Sequence, residues 1–167
     1  MVKLANVFFL SSRKDFALRL AIADLTIHLA PFDPVYKGRV AFHACQYKND
    51  RDRAESLKNL SEAGFSEEEE DLIPEESILG WGKLQSVKEY DARSFDIDSS
   101  FHGYKNFDLF RAEEKWDRVF GWVLTEQRYL SFPVMGIKGR DHGDWWTAGD
   151  PFRLLCLERA FRGSAID

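Results

Sequence analysis

Three segments of this chain alternate hydrophobic and polar side chains with the period of a β-strand. The alternation runs through Tyr36–Cys45, Ser77–Val87 and Val119–Leu130. In the first segment, Arg39 and His43 fall on one face of the predicted strand, and the larger apolar side chains fall on the other. A cation and an imidazole therefore share a strand face.

Shorter strands and several helices are predicted around these segments. Asn6–Leu10 and Leu25–Leu29 are short apolar stretches typical of strands. Between them, Ser11 and Ser12 are predicted to cap a helix whose apolar positions recur at helical spacing. Four further helices are predicted: Arg51–Ala63 stopped by Gly64, a short helix after Ser66, a helix around Leu109–Trp116, and a final helix Pro151–Phe161.

The order of these elements predicts an α+β fold. About six short strands with helices between them do not form a regular βαβ alternation, and the glycine-punctuated strands favour a small, partly closed mixed β-barrel with peripheral helices. We expect a single domain over residues 1–167, with an acidic helical insertion around 50–76 and a polar insertion around 91–118 that resembles a lid.

Charge is unevenly distributed along the chain. The formal net charge is -5, and residues 59–103 hold twelve Asp or Glu against three Lys or Arg. An acidic protein is a poor general coat for nucleic acid, because nonspecific binding relies on clustered positive charge. The acidic run Glu67–Asp71 is typical of a solvated face. A surface for an anionic ligand should therefore lie elsewhere on the molecule.

Composition also limits the compartment and the chemistry. Cys45 and Cys156 lack CxxC spacing, so neither a disulfide framework nor a zinc knuckle is predicted. Charged residues interrupt every apolar stretch well before the roughly 20 residues of a membrane span, and we expect a cytoplasmic protein. His142 with Asp141 and Asp144 is read as a polar loop, so no metal and no cofactor is predicted.

Five segments in order resemble the ASCH domain of the PUA-like superfamily. The most specific is YKGRVAFHA, which is similar to the family's YRGR-strand-HA motif, and its spacing to FGWVL and IKG supports the resemblance. The match extends over residues 10–139. The segments are LSSRKDFA, LTIHLAPF, YKGRVAFHA, ILGWGKLQSV and FGWVLTEQRYLSFPVMGIKG.

The resemblance implies a PUA-like barrel with a cleft for RNA or a nucleoside. Some small members of the family hydrolyse acetylated cytidine through a Lys, a Thr and a Glu, and others have been proposed to cut RNA. Here Thr26 is kept, but Leu25 stands where the Lys is expected. The Glu is not apparent in GWGKLQSV, where Lys83 is the only charge. The hydrolase mechanism is therefore not expected in this chain.

We interpret the chain as a non-catalytic module that binds RNA, in single-stranded form, or a nucleotide. Basic residues would contact phosphates, and a loop tryptophan would stack on a base. The expected ligand-binding residues are Arg13, Lys14, Thr26, Arg39, His43, Lys138, Arg140, Trp145 and Trp146. For His43, a hydrogen-bonded structural histidine is the competing interpretation.

Two other functions stay open from the sequence. An amidohydrolase or a ribonuclease would use Thr26 and His43 as its active groups. A protein-interaction adaptor would use the acidic segment Glu67–Glu76. The sequence sets neither the oligomeric state nor the RNA sequence.

Overall fold

The computed structural model describes residues 8–138, 140, 141, 143, 145–147 and 159 of the chain. Six strands and six helices are defined between residues 8 and 147. The strands are β1 (Phe8–Arg13), β2 (Ile27–Ala30), β3 (Gly38–Cys45), β4 (Ser77–Glu89), β5 (Phe120–Val134) and β6 (Trp145–Thr147). The helices are α1 (Lys14–Ala21), α2 (Asp50–Glu62), α3 (Glu67–Asp71), α4 (Ala92–Ile97), α5 (Ser99–His102) and α6 (Phe107–Glu114).

The six strands form one strongly curled sheet in the order β2-β5-β4-β3-β1-β6. Strands β1 and β3 pair in parallel, and the other neighbours pair antiparallel. In a flat sheet β5 and β6 would lie roughly 19 Å apart, because four strand spacings separate them. Instead, the rings of Trp122 on β5 and Trp145 on β6 have centroids 4.8 Å apart. The predicted α+β class, with a half-barrel sheet and peripheral helices, is confirmed.

The inner side of the curled sheet packs against α1 and holds the main core. Val40 and Phe42 of β3 lie in this cluster with Leu20 of α1, as the period-two alternation predicts. Gly80 of β4 lets the helix approach closely, because a Cβ built there would lie 2.7 Å from the Cβ of Ala21. The small residues at this contact therefore set the distance between helix and sheet.

The outer side of the sheet carries a second, smaller apolar cluster. Ala41 of β3 and Trp81 of β4 pack there with Phe9, Leu130 and Ile137, and the five are at most 7% exposed. The segment after β5 reaches back over the sheet, where the N–H of residue 137 donates to the carbonyl of residue 76 at 2.8 Å. Strand alternation thus separates two cores on opposite sides of one sheet.

Helices α4, α5 and α6 pack on a third cluster beside β2. Phe95 is fully buried in it, next to Tyr90, Phe110 and Val119. The polar stretch 91–108 has no clear period in the sequence, but Asp91 caps α4 there through a reciprocal capping box with Ser94. Short capped helices escape detection by periodicity, since fewer than two turns show no repeat.

The predicted cap at Ser11 and Ser12 is wrong. Strand β1 continues to Arg13, and α1 begins at Lys14 without a side-chain cap. Both serines are fully buried, and Ser11 pairs with His43 across the parallel ladder. Their partners lie far away in sequence, so the local preference of serine for helix caps does not decide their structure.

Other local predictions are confirmed. Ser66 forms a capping box with Glu69 at the start of α3, and Gly64 takes φ 93° just beyond α2. Trp122, whose alternation with Phe120 and Leu124 predicts a core position, is 1% exposed within the main core. The predicted helix at 151–161, Cys156 and the first residues of the predicted strand at 6–10 lie outside the described residues.

Candidate nucleic-acid interface

Arg13 lies at the end of β1, surrounded by carboxylates. Its guanidinium donates to both carboxylate oxygens of Asp15 at 2.7 and 2.9 Å, to Asp52 at 3.1 Å and to Glu55 at 3.2 Å. Burial alone would lower the pKa of Arg13, but the hydrogen bonds and charges of Asp15 and Asp52 raise it above its ordinary value. This predicted phosphate contact is therefore neutralised within the protein.

Lys14 is buried in an ion pair. It is 4% exposed, and its Nζ lies 2.7 Å from Oε1 of Glu70, which also accepts a hydrogen bond from the Tyr47 hydroxyl at 2.8 Å. Burial alone would raise the pKa of Glu70, but the hydrogen bonds from Lys14 and Tyr47 lower it. One member of the acidic run thus fixes α3 against α1, and Lys14 is not presented to a ligand.

The structure also separates Arg13 from Arg39. In the parallel β1–β3 ladder Phe8 pairs with Val40, and Arg13 pairs with Cys45. Arg39 precedes Val40, so the two arginines lie at opposite ends of the ladder, roughly 20 Å apart along the strand. The predicted residues therefore do not line one common cleft.

Thr26 immediately precedes β2. Its N–H donates to the carbonyl of Phe101 at 3.1 Å, and its carbonyl accepts from the N–H of Leu124 at 2.8 Å. The neighbouring Leu25 is 1% exposed, and its side chain is purely hydrocarbon. The backbone of Thr26 thus joins the helical segment to the sheet.

His43 is the centre of a buried hydrogen-bond chain. Its Nδ1 lies 2.8 Å from Oγ of Ser11 and its Nε2 lies 2.6 Å from the carbonyl oxygen of Ile137. Trp146 donates its indole N–H to the same Ser11 oxygen at 2.9 Å. Because a carbonyl only accepts, we assign the neutral tautomer with the proton on Nε2. His43 is 0% exposed, which supports the structural interpretation of this residue.

The two adjacent tryptophans of β6 lie on opposite sides of the sheet. Trp145 stacks on Phe8 at 4.6 Å and packs with the main core. Trp146 stacks on Phe9 at 4.5 Å in the outer cluster, and the guanidinium carbon of Arg140 lies 4.3 Å from its ring centroid. Trp146 and Arg140 therefore belong to the outer side, and Trp145 does not.

Arg39 repeats this arrangement on the next strands. Its guanidinium carbon lies 4.2 Å from the ring centroid of Trp81, which is part of the same outer cluster as Trp146. Lys138 follows the buried Ile137 and is exposed. Arg39 and Arg140 thus lie against one apolar cluster, and Lys138 follows a member of that cluster in the chain.

Two further cations on this side were missed by sequence reasoning. Lys83 of β4 pairs directly with Arg39, and Arg128 of β5 pairs directly with Trp81. Directly opposed residues in antiparallel strands point to the same side of a sheet, and both added side chains are exposed. The register between the strands would have identified both residues. Bulges in β4 and β5 make that register hard to predict from the sequence. We call Arg39, Lys83, Arg128, Lys138 and Arg140 the outer basic face.

An exposed aromatic ring lies at the edge of this face. Phe132 is 86% exposed. It lies in β5 between Leu130 and Val134, both of which pack in the outer cluster, in the stretch where the β4–β5 register shifts. A phenylalanine that points into water beside cations is suited to stacking on an unpaired base.

The charges of the outer basic face are not neutralised in the described part of the chain. Within those residues, no ion pair joins any of its five cations to a carboxylate, whereas Lys14 and Arg118 each form one and Arg13 forms three. The acidic run is used elsewhere, against α1. A local positive surface therefore exists on a protein whose net charge is negative.

A separate cleft of about 310 Å³ opens between β2 and the helices α5 and α6. Its walls are mainly aliphatic and aromatic. The described residues that line it are Phe16, Leu20, Leu25, Ile27, His28, Leu29, Ala30, Pro31, Phe32, His102, Tyr104, Phe110, Glu114, Trp116 and Gly143. None of the five cations of the outer basic face belongs to this lining.

The described residues do not contain a cluster of metal-ligating side chains. No three His, Cys, Asp or Glu side chains gather there in an arrangement that could hold a metal ion. The predicted polar loop is only partly described, since His142 and Asp144 lie outside. No helix in the described ranges has the length and hydropathy to cross a membrane.

The fold is similar to solved ASCH structures. The crystal structure of ASCH from Zymomonas mobilis superposes with a TM-score of 0.58 at 12% sequence identity, covering 92% of this chain and 96% of that chain. A serine-to-alanine mutant of that protein gives a TM-score of 0.60 at 10% identity, covering 95% of this chain and 98% of the other. A tyrosine-to-phenylalanine mutant gives 0.60 at 10% identity, covering 92% and 97%.

These similarities show that the chain has an ASCH-like fold. Neither a protein-family model nor a curated protein sequence matches it. At 10–12% identity, the structural similarity shows a shared arrangement of helices and strands but does not show a shared site chemistry. The function must therefore be argued from the side chains of this chain.

Proposed function

We propose that this chain is a non-catalytic module that binds single-stranded RNA, and that the outer basic face is its binding surface. The observation that carries the proposal is the placement of Arg39 over Trp81 and Arg140 over Trp146 around one cluster. Cations interleaved with aromatic rings are what proteins use to bind the backbone and bases of single strands.

Electrostatics supports this surface over the first pair of predicted cations. Arg13 and Lys14 are already paired with buried or half-buried carboxylates, so a phosphate would have to displace Asp15 or Glu70. Within the described residues, a phosphate could contact the cations of the outer basic face without displacing a paired carboxylate. A phosphate that contacts them releases counterions, and this release drives association with nucleic acid.

The shape of the surface favours single strands. The sheet is curled, and the aromatic groups beside its cations include the exposed ring of Phe132. An unpaired base can stack on such a ring. In a duplex the bases stack on one another, and only their edges are accessible in the grooves. Stacking tolerates every base, so we expect little sequence preference.

Binding of a fluorescently labelled, unstructured oligoribonucleotide tests the proposal. Arg39→Ala should weaken binding at low salt, and the ratio of its Kd to the wild-type Kd should shrink as salt rises, because a phosphate contact is lost. Arg39→Lys keeps the charge and should retain part of the affinity. Lys58→Ala removes an exposed cation from α2 and is the matched control.

Two results would contradict the proposal. One is equal binding by Arg39→Ala and wild type at low salt. The other is an equal loss from Arg39→Ala and Lys58→Ala, since that would indicate a response to total charge rather than a site. A near-ultraviolet circular dichroism spectrum of each variant checks that Trp81 keeps its packing.

The geometry does not favour hydrolysis of a modified nucleoside or of RNA. Both ring nitrogens of His43 are hydrogen-bonded in the core, and Thr26 stands beside an apolar Leu25. The protein can be incubated with acetylated cytidine and with RNA beside Thr26→Ala and His43→Ala variants. Product formation that Thr26→Ala abolishes would establish an enzyme instead of a binding module.

A further inference from the structure

The cleft beside β2 is a second concave site, separate from the outer basic face. Its volume of about 310 Å³ is at the lower end of the range for small-molecule pockets. Buried aliphatic side chains such as Leu25 and Ile27 form its floor, since both are at most 4% exposed. A cavity of this size and lining suits a compact organic ligand.

Aromatic rings form the walls of the cleft. Phe16 and Tyr104 stack with centroids 5.7 Å apart, and Tyr104 in turn contacts Phe110 at 4.7 Å. Trp116 packs edge-on against Phe110 at 5.3 Å. The rings come from α1, from α6 and from the segments flanking α6, so they meet only in the folded chain. A ligand bound in the cleft would contact the faces and edges of these rings.

The one formally charged side chain among the described lining residues is Glu114, which stays accessible to solvent. Burial against the cleft, followed by the charge of Glu113, raises the pKa of the Glu114 carboxyl, whereas Lys48 acts in the opposite direction. Burial and then the charge of Glu114 also raise the pKa of Tyr104. Burial and the neighbouring carboxylate therefore disfavour the charged form of Glu114 more than Lys48 favours it.

The cleft disfavours anionic ligands, because its lining carries a carboxylate and no lysine or arginine among the described residues. The guanidinium groups close to the cleft already have partners: Arg13 pairs with Asp15, Asp52 and Glu55, Arg19 pairs with Asp24, and Arg111 donates to the carbonyl of Trp116 at 3.2 Å. A phosphate entering the cleft would meet Glu114 and no lysine or arginine among the described lining residues.

We propose that the cleft binds a small organic cation with an aromatic body, whose protonated amine pairs with Glu114 while its ring packs among Tyr104, Phe110 and Trp116. Two independent features support this ligand class. Aromatic walls attract cations through their ring quadrupoles, and a carboxylate at the mouth supplies the opposite charge. The proposal does not depend on RNA binding, because it concerns different residues.

Three probes with one phenyl ring and different head groups test the ligand class. They are 2-phenylethylamine, which is cationic at pH 7, 2-phenylethanol, which is neutral, and 3-phenylpropionate, which is anionic. We expect the amine to bind at least tenfold more tightly than the alcohol, and the carboxylate to bind more weakly than both. The indole N–H resonance of Trp116 in a proton–nitrogen NMR spectrum reports binding at the cleft itself.

Two variants assign the preference to a residue. Glu114→Gln keeps the shape of an exposed side chain and should weaken the amine about tenfold, to the level of the alcohol, without changing alcohol binding. Glu113→Gln removes the neighbouring carboxylate, which lies outside the cleft lining, and should change amine binding by less than threefold. Equal binding of the three probes, no shift of the Trp116 resonance, or unchanged amine binding by Glu114→Gln would overturn the proposal.

Discussion

The guanidinium carbon of Arg39 lies over the indole ring of Trp81, 4.2 Å from the ring centroid. Stacking uses the face of a guanidinium and leaves its N–H edges available for a second partner. Trp81 is only 7% exposed, so the ring is a fixed platform rather than a mobile contact. Arg140 stands over Trp146 in the same way. Two arginines are thereby held in place on one surface, which favours recognition of phosphates.

We predict that Phe132→Ala weakens binding of single-stranded RNA without changing its salt dependence. Loss of one base–aromatic stack costs about 1–3 kcal/mol, and the ring carries no charge. Stability should not fall, since the side chain is 86% exposed. Titrations at several salt concentrations measure both properties. An unchanged affinity would place the bases elsewhere.

Gly80→Ala should destabilise the fold. The added methyl would collide with the carbonyl of Arg128 and lie 2.7 Å from the Cβ of Ala21, where both neighbours are fixed by the sheet and by α1. Overpacking of this kind costs roughly 1–3 kcal/mol. Gly82→Ala, whose nearest neighbours lie at 3.2 Å, should cost less. Urea unfolding of both variants compares the costs, and equal stabilities would contradict the close contact of α1.

His43→Ala should lower the free energy of unfolding by about 2–4 kcal/mol. The change leaves the Ile137 carbonyl without its donor, leaves a cavity, and removes the partner of the Ser11 hydroxyl. His28→Ala, at a half-buried position on β2, should cost less. Thermal unfolding measures the difference. A fully stable His43→Ala protein would contradict the structural role.

Stability should decline as pH falls from about 7 toward 5, in part through His102. This side chain is 1% exposed, its Nε2 lies 2.9 Å from the Phe95 carbonyl, and its Nδ1 accepts from the Tyr104 N–H at 3.1 Å. Burial lowers the pKa of His102 below 6.5, so the unfolded chain binds more protons than the native state in this pH range. One such proton contributes at most about 1.4 kcal/mol per pH unit.

His102→Gln should flatten this pH dependence. Glutamine preserves a donor toward the Phe95 carbonyl but does not titrate. The lowered pKa values of Asp15 and Glu70 act at lower pH, because stability from these carboxylates is lost only as they are protonated. The raised pKa of Glu114 acts in the opposite direction, since that group is easier to protonate when folded. Urea unfolding at several pH values measures this dependence for wild type and variant. The same slope of unfolding free energy against pH in both proteins would contradict the role of His102.

The sequence predicted much of the sheet because strand alternation is a local signal. The alternation of Tyr36–Cys45 correctly separated Phe42 from His43, and the core position of Trp122 followed from its apolar neighbours at i±2. The capping box at Ser66 was also recognisable, since its two partners lie three residues apart. These predictions depend on neighbours in the chain.

The candidate site was harder to predict because its contacts are distant in sequence. Nothing local indicates that Lys14 meets Glu70, or that Arg13 meets Asp52 and Glu55 on α2. The position of Lys83 opposite Arg39 depends on the register of β3 and β4, which shifts between Phe42 and His43. Pairing of charges and strand register are properties of the folded chain.

The salt dependence of RNA binding by a double variant of the outer basic face tests the central claim most directly. Lys83→Gln with Arg128→Gln should reduce the slope of log Kd against log salt by about 1.4, since each lost phosphate contact on a single strand contributes about 0.7. The matched control is Lys58→Gln with Lys105→Gln, two exposed cations outside this face, which should leave the slope nearly unchanged. Equal slopes for wild type, double variant and control would contradict the assignment of RNA binding to this surface.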